Sequence, residues 1–218
     1  MTLRRLPQCG LYAITPDRPM TLPTLVHAAE EALRGGARLL QYRRKGLSAV
    51  QAKPEVEALV ACCNRHDVLL FVNDDVALAR EAGAHGVHLG RDDGDYQALA
   101  RGRSRRLLLG VSCYNSLARA REAAEAGVDY VAFGSVYSTS TKPEAVHCPL
   151  TVLSQARAEL RLPIVAIGGI TPDNATSVIE AGADFVAAIG GVFDQASIFE
   201  SAIRYSRLFK SRRKENDV

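Results

Sequence analysis

The 218-residue chain carries 27 Lys and Arg against 24 Asp and Glu, a formal net charge of +3, and 47% of its residues are hydrophobic. This composition is typical of one globular domain, and its charge is too near neutral to indicate nucleic-acid binding. The longest uncharged runs, such as residues 107–118, have twelve residues, whereas a membrane-spanning helix needs about 20 apolar residues. We therefore expect no membrane span. Because the N-terminus lacks the apolar stretch of a signal peptide, we also expect a cytoplasmic protein.

The cysteines show no pattern of a disulfide framework or a metal centre. There are five, an odd number, with neither CxxC spacing nor a Cys/His ligand pattern: Cys9, Cys62, Cys63, Cys113 and Cys148. Free cysteine usually behaves as a small buried apolar residue. We expect reduced thiols and no zinc or redox site.

Eight short apolar runs recur along the chain without the polar alternation of a half-exposed strand. Such runs are typical of parallel strands that are buried on both faces. The runs are LYAIT (11–15), RLLQYR (38–43), VLLFVND (68–74), GVHLG (86–90), LLLGVSC (107–113), YVAFGSV (130–136), PIVAIGG (163–169) and FVAAIGG (185–191).

Amphipathic segments of helical period separate these runs, and four of them enter the next run through similar phrases: GGARLL, AGAHGVHL, AGVDYVAF and AGADFVAA. The glycine of each phrase suits a left-handed helix end. Each repeat spans about 25 residues, enough for one strand, one helix and two short loops. The pattern predicts an α/β fold, a single-domain (βα)8 TIM barrel over residues 1–210, followed by a disordered tail at 211–218. A doubly wound open sheet is disfavoured because no GxGxxG follows the first strand.

Three helix starts are predicted from local signals. Ser48 and Gln51 have the spacing of a capping box, but Pro54 would break the helix that they begin, so this boundary stays open. Asn115 is expected to cap the helix after the fifth strand. Thr171, followed by proline, is expected to cap the helix after the seventh.

Cationic and amide side chains follow the second run in QYRRK. Gln41, Arg43 and Lys45 alternate, so all three can point the same way from a strand. A neighbouring Arg and Lys suit a phosphate or diphosphate, and in a TIM barrel the carboxyl ends of the strands carry the active site. The alternative is a solvated strand exit with ordinary surface cations.

Acidic residues follow the third and fourth runs. Asp74 and Asp93 would lie at the ends of adjacent strands, close enough to share a magnesium ion, which takes one or two carboxylates and spends its other positions on water and phosphate. The alternative is that Asp74 or Asp75 only caps the next helix.

Paired glycines end the last two runs, at Gly168–Gly169 and Gly190–Gly191. Barrels commonly bind a phosphate there on backbone N–H groups, although tight turns would also explain the glycines. His88 lies within a strand and is expected to be structural. RGRSRR (101–106) has no aromatic neighbours, so we interpret it as a solvated loop rather than a nucleic-acid patch.

The ordered motifs QYRRK, NDD, GVHLGRDD, STSTK and IGGI closely resemble those of the thiamine phosphate synthase family over nearly the whole chain. The resemblance implies a barrel enzyme that joins 4-amino-2-methyl-5-hydroxymethylpyrimidine diphosphate to a thiazole phosphate and releases diphosphate with magnesium. In the implied dissociative reaction the diphosphate leaves first. The implied partners are small molecules, with no nucleic acid or membrane, and a homo-oligomer is left open.

The resemblance also implies roles for single residues. The implied catalytic residues are Arg43, Lys45, Ser112 and Lys142. The implied pyrimidine diphosphate site comprises Gln41, Tyr42, Arg43, Arg44, Lys45, Asn73, Ser112 and Lys142. The implied thiazole phosphate site comprises Thr139, Ser140, Thr141, Gly169, Ile189 and Gly190. The implied magnesium ligands are Asp74 and Asp93.

Several positions depart from the family pattern: Arg91 replaces the usual Gln, Tyr114 a frequent His, and Gly190 a frequent Ser. The motif of the sixth run, which often begins with GP, here reads GSVYSTSTK. Two other functions remain alternatives. A related thiazole tautomerase would need a general base but no diphosphate site. A regulatory barrel would bind a phosphate ligand without turnover, which the fold alone does not exclude.

Overall fold

Each of the eight apolar runs forms a strand in the computed structural model, which describes residues 5–102, 107–139 and 144–209. The strands close into one barrel in the order β1 to β8, and every neighbouring pair is parallel, including β1 with β8. The predicted single-domain (βα)8 barrel is confirmed, and the open sheet is wrong. Ser140, Thr141, Lys142 and the predicted tail at 211–218 lie outside the described residues.

The strands have four to seven residues and differ from the apolar runs by only a few residues at either end. They are β1 (Gly10–Ile14), β2 (Ala37–Tyr42), β3 (Leu69–Asn73), β4 (Gly86–Leu89), β5 (Leu108–Tyr114), β6 (Tyr130–Phe133), β7 (Ile164–Ile167) and β8 (Phe185–Ala188).

A helix follows each strand, and the last strand is followed by two. The helices are α1 (Leu22–Arg34), α2 (Ala49–Arg65), α3 (Val76–Glu81), α4 (Tyr96–Gly102), α5 (Leu117–Ala126), α6 (Leu150–Glu159), α7 (Ala175–Glu180), α8 (Gly190–Phe193) and α9 (Ile198–Arg207). Among the described residues, no helix combines the length and apolarity that crossing a membrane requires.

The four repeated phrases turn from helix to strand as predicted. One glycine of each phrase has positive φ, which residues with a side chain rarely adopt. The angles are 96° at Gly36, 71° at Gly83, 82° at Gly127 and 113° at Gly182.

Aromatic rings fill the centre of the barrel. Tyr12, Phe71 and Tyr130 meet edge to face, with ring centroids 5.3 to 6.0 Å apart, and all three are buried. A side chain at Gly86 would collide with the Phe71 ring, and one at Gly110 with the Tyr130 ring. The two glycines therefore make the room that the rings occupy.

Polar side chains directly before β4, β6 and β8 close the amino end of the barrel. Each side chain belongs to the residue directly before a strand, and it accepts a hydrogen bond from a backbone N–H of the preceding strand. Such an acceptor satisfies a buried donor that the strand ladder leaves free. The pairs are His85 Nδ1 with Leu70 N (2.6 Å), Asp129 Oδ2 with Leu109 N (2.7 Å) and Asp184 Oδ2 with Ile164 N (2.8 Å).

The local signals for helix starts succeeded once and failed twice. The capping box at Ser48 forms, and α2 continues through Pro54 to Arg65. Asn115 does not cap α5: Ser116 does, while the Asn115 amide donates to the carbonyl of His147. The prediction that Thr171 caps the helix after the seventh strand is also wrong.

The segment after Thr171 forms a turn rather than the first turn of a helix. The Thr171 carbonyl accepts from the backbone N–H groups of Asn174 and Ala175, and α7 begins only at Ala175. The Asn174 side chain accepts from Thr171 N at 2.8 Å. A proline after a potential capping residue therefore occurs in turns as well as at helix starts.

Candidate active site at the carboxyl ends of the strands

The segment after β2 is held by residues that follow β1. The Thr15 hydroxyl accepts from Arg43 N (2.9 Å), and the Asp17 carboxylate accepts from Lys45 N (3.0 Å) and from Arg43 Nη1 (3.3 Å). These contacts fix the Arg43 side chain and the backbone of both residues at the barrel opening. Sequence reasoning missed Thr15 and Asp17, although the polar segment TPD directly after the first apolar run was a usable signal.

Two aspartates meet beside Lys45. Its Nζ lies 3.9 Å from Asp74 Oδ2, and the Asp74 side chain hydrogen-bonds to that of Asp93. Burial, and after it the neighbouring Asp93, raise the pKa of Asp74 to about 6, against the opposing effect of Lys45 and Arg43. The predicted proximity of the two aspartates is therefore present in the structure.

The helix-cap alternative holds for Asp75 and not for Asp74. Asp75 Oδ1 accepts from Leu78 N at 2.8 Å and caps α3. Asp74 adopts a left-handed backbone conformation, with φ of 67°, and directs its carboxylate to Asp93 and Lys45.

The paired carboxylates fit a magnesium ion. Burial and repulsion by the like charge of Asp93 both disfavour the ionised form of Asp74, which therefore holds its proton towards neutral pH. A divalent cation between them would remove that repulsion, and carboxylate oxygens are ligands that magnesium prefers. Asp74 and Asp93 are the residues that would hold it.

Arg119 braces the loop that carries Asp93. Its Nη2 donates to the Gly90 carbonyl (3.1 Å) and its Nε to the Ser112 carbonyl (2.8 Å), so one guanidinium joins the ends of β4 and β5. Within the loop, Gly90 N donates to Asp93 Oδ2 at 2.8 Å. Sequence reasoning missed Arg119 because it belongs to α5, and arginines on the helices of a barrel are usually solvated.

Two of the departures from the family pattern contact each other. The Arg91 guanidinium lies 4.7 Å from the centroid of the Tyr114 ring, and Arg91 N donates to the Tyr114 hydroxyl at 3.1 Å. The Arg91 cation is therefore stacked on an aromatic face, a favourable contact for Arg.

A buried chain of hydrogen bonds crosses the barrel interior from Gln41 to Ser112. Gln41, which is 3% exposed, donates to the Tyr12 hydroxyl. The chain continues through Tyr130 and His88. Its contacts are Gln41 Nε2 to Tyr12 OH (3.1 Å), Tyr12 OH to Tyr130 OH (2.9 Å), Tyr130 OH to His88 Nδ1 (2.9 Å) and His88 Nε2 to Ser112 Oγ (2.8 Å).

His88 is a satisfied interior histidine, as expected, but it also contacts a candidate substrate residue. Burial lowers its pKa to about 4, outweighing the opposite effect of Asp93, so the ring is neutral at pH 7. With both ring nitrogens engaged, His88 joins Ser112 to Tyr130. Sequence reasoning missed the two tyrosines, which the two-residue period of a strand could have placed inside the barrel.

Tyr42 and Arg44 point away from this interior. The Tyr42 hydroxyl donates to Glu55 Oε2 on α2 (2.7 Å), and Arg44 Nη1 lies 3.7 Å from the same oxygen. Their part in substrate binding stays a prediction. Between α2 and the ends of β2 and β3 lies a cavity of about 310 Å³, which these two side chains line together with Lys45 and Asn73.

The loop after β6 packs on the glycines after β7. Tyr137 N donates to the Gly168 carbonyl at 3.0 Å, and a side chain at Gly169 would collide with the Ser138 carbonyl. Gly169 also has a φ of 59°. Thr139 follows directly, so two of the segments predicted to bind the thiazole phosphate are neighbours in the structure.

The segment after β8 forms the start of α8 at Gly190. Arg18, from the loop after β1, pairs with the Asp194 carboxylate and donates to the Phe193 carbonyl at 3.3 Å. A side chain at Gly190 would collide with the Asp194 carboxylate. Arg18 thus adds a cation beside the Ile189–Gly190 segment that sequence reasoning had missed.

Fold and site define a (βα)8-barrel enzyme whose cationic and acidic side chains meet at the carboxyl ends of the strands. Residues 11–192 match the family model described as thiamine monophosphate synthase. The chain belongs to this family, whose activity is that of a transferase in thiamine biosynthesis.

Relatives and a solved structure agree with this assignment. A protein named thiamine-phosphate synthase from Methylobacillus flagellatus is 50% identical over 210 residues, covering 96% of this chain and all of the relative. Another of that name, from Thioalkalivibrio sulfidiphilus, is 48% identical over 204 residues, covering 92% of this chain and 95% of the relative. The structure of thiamine phosphate pyrophosphorylase from Pyrococcus furiosus gives a TM-score of 0.84 at 31% identity, covering 94% of this chain and 96% of that one.

Proposed function

We propose that the chain joins 4-amino-2-methyl-5-hydroxymethylpyrimidine diphosphate to 4-methyl-5-(2-phosphoethyl)thiazole, releasing diphosphate and thiamine phosphate. With the carboxylated form of the thiazole, CO2 is released as well. The observation that carries this proposal is the contact of Lys45 with Asp74, and of Asp74 with Asp93, at the opening of the barrel. A cation beside two carboxylates suits a diphosphate that binds together with magnesium.

The reaction begins with loss of the leaving group. The bond between the pyrimidine methylene carbon and the diphosphate oxygen breaks, and its electron pair leaves with the diphosphate. The Arg43 and Lys45 side chains bind the departing anion, and their backbone is already fixed by Thr15 and Asp17. When bound at Asp74 and Asp93, magnesium supplies further neutralisation of the diphosphate charge.

Capture by the thiazole completes the reaction. The ring nitrogen of the thiazole donates its electron pair to the methylene cation and forms the new carbon–nitrogen bond. Gln41 and Ser112, joined by the buried chain, orient the pyrimidine, and Asn73 and Lys142 complete its site. Such chemistry needs alignment and charge stabilisation rather than a nucleophile on the protein.

The thiazole phosphate is proposed to bind where the loops after β6, β7 and β8 meet. The packing of residues 137–139 on Gly169, and the start of α8 at Gly190, support this location. Backbone N–H groups next to glycines can approach a phosphate closely. The proposed contacts are Thr139, Ser140, Thr141, Gly169, Ile189 and Gly190.

The tautomerase alternative is disfavoured by the site itself. That reaction needs no diphosphate site, whereas Lys45, Asp74 and Asp93 are in contact here. The relatives at 48% and 50% identity carry the synthase name as well.

A two-substrate assay of diphosphate release tests the proposal. We expect release only when the pyrimidine diphosphate, the thiazole phosphate and magnesium are all present, with thiamine phosphate formed in equal amount. Binding of the thiazole phosphate without turnover at any magnesium concentration would instead support the regulatory barrel.

A further inference from the structure

A cluster of three potential metal ligands lies outside the active site, where α1 packs on α2. Ligand atoms of Glu30, Cys62 and His66 all lie within 4.8 Å of one another. We propose that these three side chains bind a divalent transition metal ion of the zinc class, at a site separate from the proposed magnesium site.

The fold brings the three donors together from two helices. Cys62 lies on α2 and His66 directly follows this helix, four residues after Cys62, so their side chains lie on the same face one turn apart. Glu30 comes from α1, and its Oε1 lies 3.3 Å from His66 Nε2. The sequence shows no ligand spacing because the third donor is more than 30 residues away along the chain.

The donor types select the class of metal. A thiolate, an imidazole and a carboxylate are the ligands that zinc takes in proteins, and three of them leave a fourth tetrahedral position for water. Magnesium prefers oxygen ligands throughout and would not select a cysteine. The proposed magnesium ligands, Asp74 and Asp93, in turn offer only oxygen.

An ion can reach the cluster from solvent, although Cys62 is buried. The side chains of Glu30 and His66 are 37% and 25% exposed and form the outer edge of the cluster. Arg65, whose Nη2 lies 3.6 Å from Glu30 Oε1, is 56% exposed and can turn into solvent when the ion takes its place.

Binding of the metal ion requires only local changes at the three ligands. The thiol proton of Cys62 passes to solvent, the sulfur becomes a thiolate ligand, and the hydrogen bond between His66 and Glu30 is exchanged for two bonds to the metal. Burial raises the pKa of the Cys62 thiol, so the ion has to displace a proton that the free protein holds firmly.

The site lies at the amino end of the barrel, opposite the proposed active site. His66 directly follows α2, and Glu30 lies in the last turns of α1, so both precede strands rather than follow them. In this fold that end serves stability and the opposite end catalysis. The bound ion would join α1 to α2 and stabilise the barrel without entering the reaction.

Titration of the full chain with Co²⁺, in the presence of a reductant without thiols, tests the proposal. We expect one equivalent of Co²⁺ to produce a thiolate-to-cobalt charge-transfer absorption, and one equivalent of Zn²⁺ to abolish it. Cobalt held by Asp74 and Asp93 has no sulfur ligand and gives no such absorption, so failure of the magnesium proposal would not affect this result.

Variants assign the absorption to the three residues. Cys62→Ser should abolish it, while Glu30→Gln and His66→Asn, at partly exposed positions that leave the buried core intact, should each weaken Co²⁺ binding at least about 10-fold. Cys63→Ala is the matched control: Cys63 is equally buried on α2 but is not in the cluster, so the absorption should remain.

Three results would overturn the proposal: no charge-transfer absorption at millimolar Co²⁺, an absorption that persists in Cys62→Ser, or an affinity unchanged in both Glu30→Gln and His66→Asn. Thermal unfolding gives a second measurement. Zn²⁺ should raise the Tm of the parent protein and leave that of His66→Asn unchanged.

Discussion

His88 Nε2 lies 2.8 Å from Ser112 Oγ, and through this contact the interior of the barrel holds a side chain that is proposed to touch substrate. His88 is 9% exposed and is itself fixed by the Tyr130 hydroxyl. His88 is thus a positioning residue: it acts through Ser112 rather than on the reacting atoms.

Replacing His88 should impair the use of the pyrimidine substrate. In His88→Leu the Ser112 hydroxyl loses its partner, a loss of about 1–3 kcal/mol, so we expect kcat/KM to fall roughly 10-fold or more. Gln can place an amide near the position of Nε2, so His88→Gln should recover part of the activity. Steady-state kinetics with the pyrimidine diphosphate as varied substrate measures both.

A double-mutant cycle with Ser112→Ala separates positioning from general damage. If His88 acts through Ser112, adding His88→Leu to Ser112→Ala should cost little further activity. If the fold-losses in kcat/KM of the two single variants multiply in the double variant, the positioning role of His88 is contradicted.

The low pKa of His88 makes stability depend on pH in a defined direction. Burial lowers the pKa from 6.5 to about 4 on folding, so the unfolded chain binds more protons between these values, and stability falls as pH falls. From pH 7 to pH 5 the contribution of His88 should decrease by about 2 kcal/mol.

Asp74 has the opposite effect, because its pKa is raised on folding to about 6. The measurement is therefore the difference in unfolding free energy between the parent protein and His88→Gln, in which the effect of Asp74 cancels. Urea unfolding at both pH values gives this difference. An unchanged difference would show that folding does not lower the pKa of His88.

Asp93 should be essential and its neighbour Asp92 dispensable. Asp93→Asn removes one of the two carboxylates in contact, and we expect diphosphate release to fall at least about 100-fold. Asp92 is exposed, so Asp92→Asn should stay within about twofold of the parent, since surface changes are usually small. Equal activity of the two variants would show that Asp93 is not a magnesium ligand.

Arg119 should tune the magnesium requirement. Arg119→Met removes the hydrogen bonds that join Gly90 to Ser112, so the Asp93 loop loses a brace and the magnesium concentration for half-maximal rate should rise several-fold. Arg121→Met is the control, because Arg121 on the same helix pairs only at the surface with Glu159. A magnesium requirement that is the same in both variants would exclude a role for Arg119.

Asp129 should affect stability and leave catalysis unchanged. Asp129→Ala leaves the buried Leu109 N–H without its side-chain acceptor, which costs about 1–3 kcal/mol. Glu122→Ala, at an exposed position on α5, should change stability by less than about 0.5 kcal/mol. Urea unfolding measures both, and KM values should match the parent because the amino end of the barrel is remote from the site.

The barrel was predictable because its signals are local and repeated. Continuous apolar runs set the strands, and a glycine such as Gly127 marks the turn into four of them. Helix starts were less predictable, since Asn115 and Ser116 are both good caps and only tertiary contacts decide between them.

The residues with chemistry at the strand ends were also predictable, because each carries its charge next to an apolar run. The supporting residues were not. Arg119 and Asp17 act across elements that are far apart in sequence, as do Tyr12 and Tyr130, which look like ordinary core residues in the sequence. Contacts of this kind are defined by the closed barrel and not by any single segment.

The buried chain also fixes a distance across the opening of the barrel. Gln41 lies on β2 and Ser112 on β5, three strands apart around the closed barrel, and each polar side chain between them contacts the next. Neither end can shift without displacing the rings between them. A ligand that reaches both Gln41 and Ser112 therefore meets two polar groups whose separation the barrel interior has set in advance.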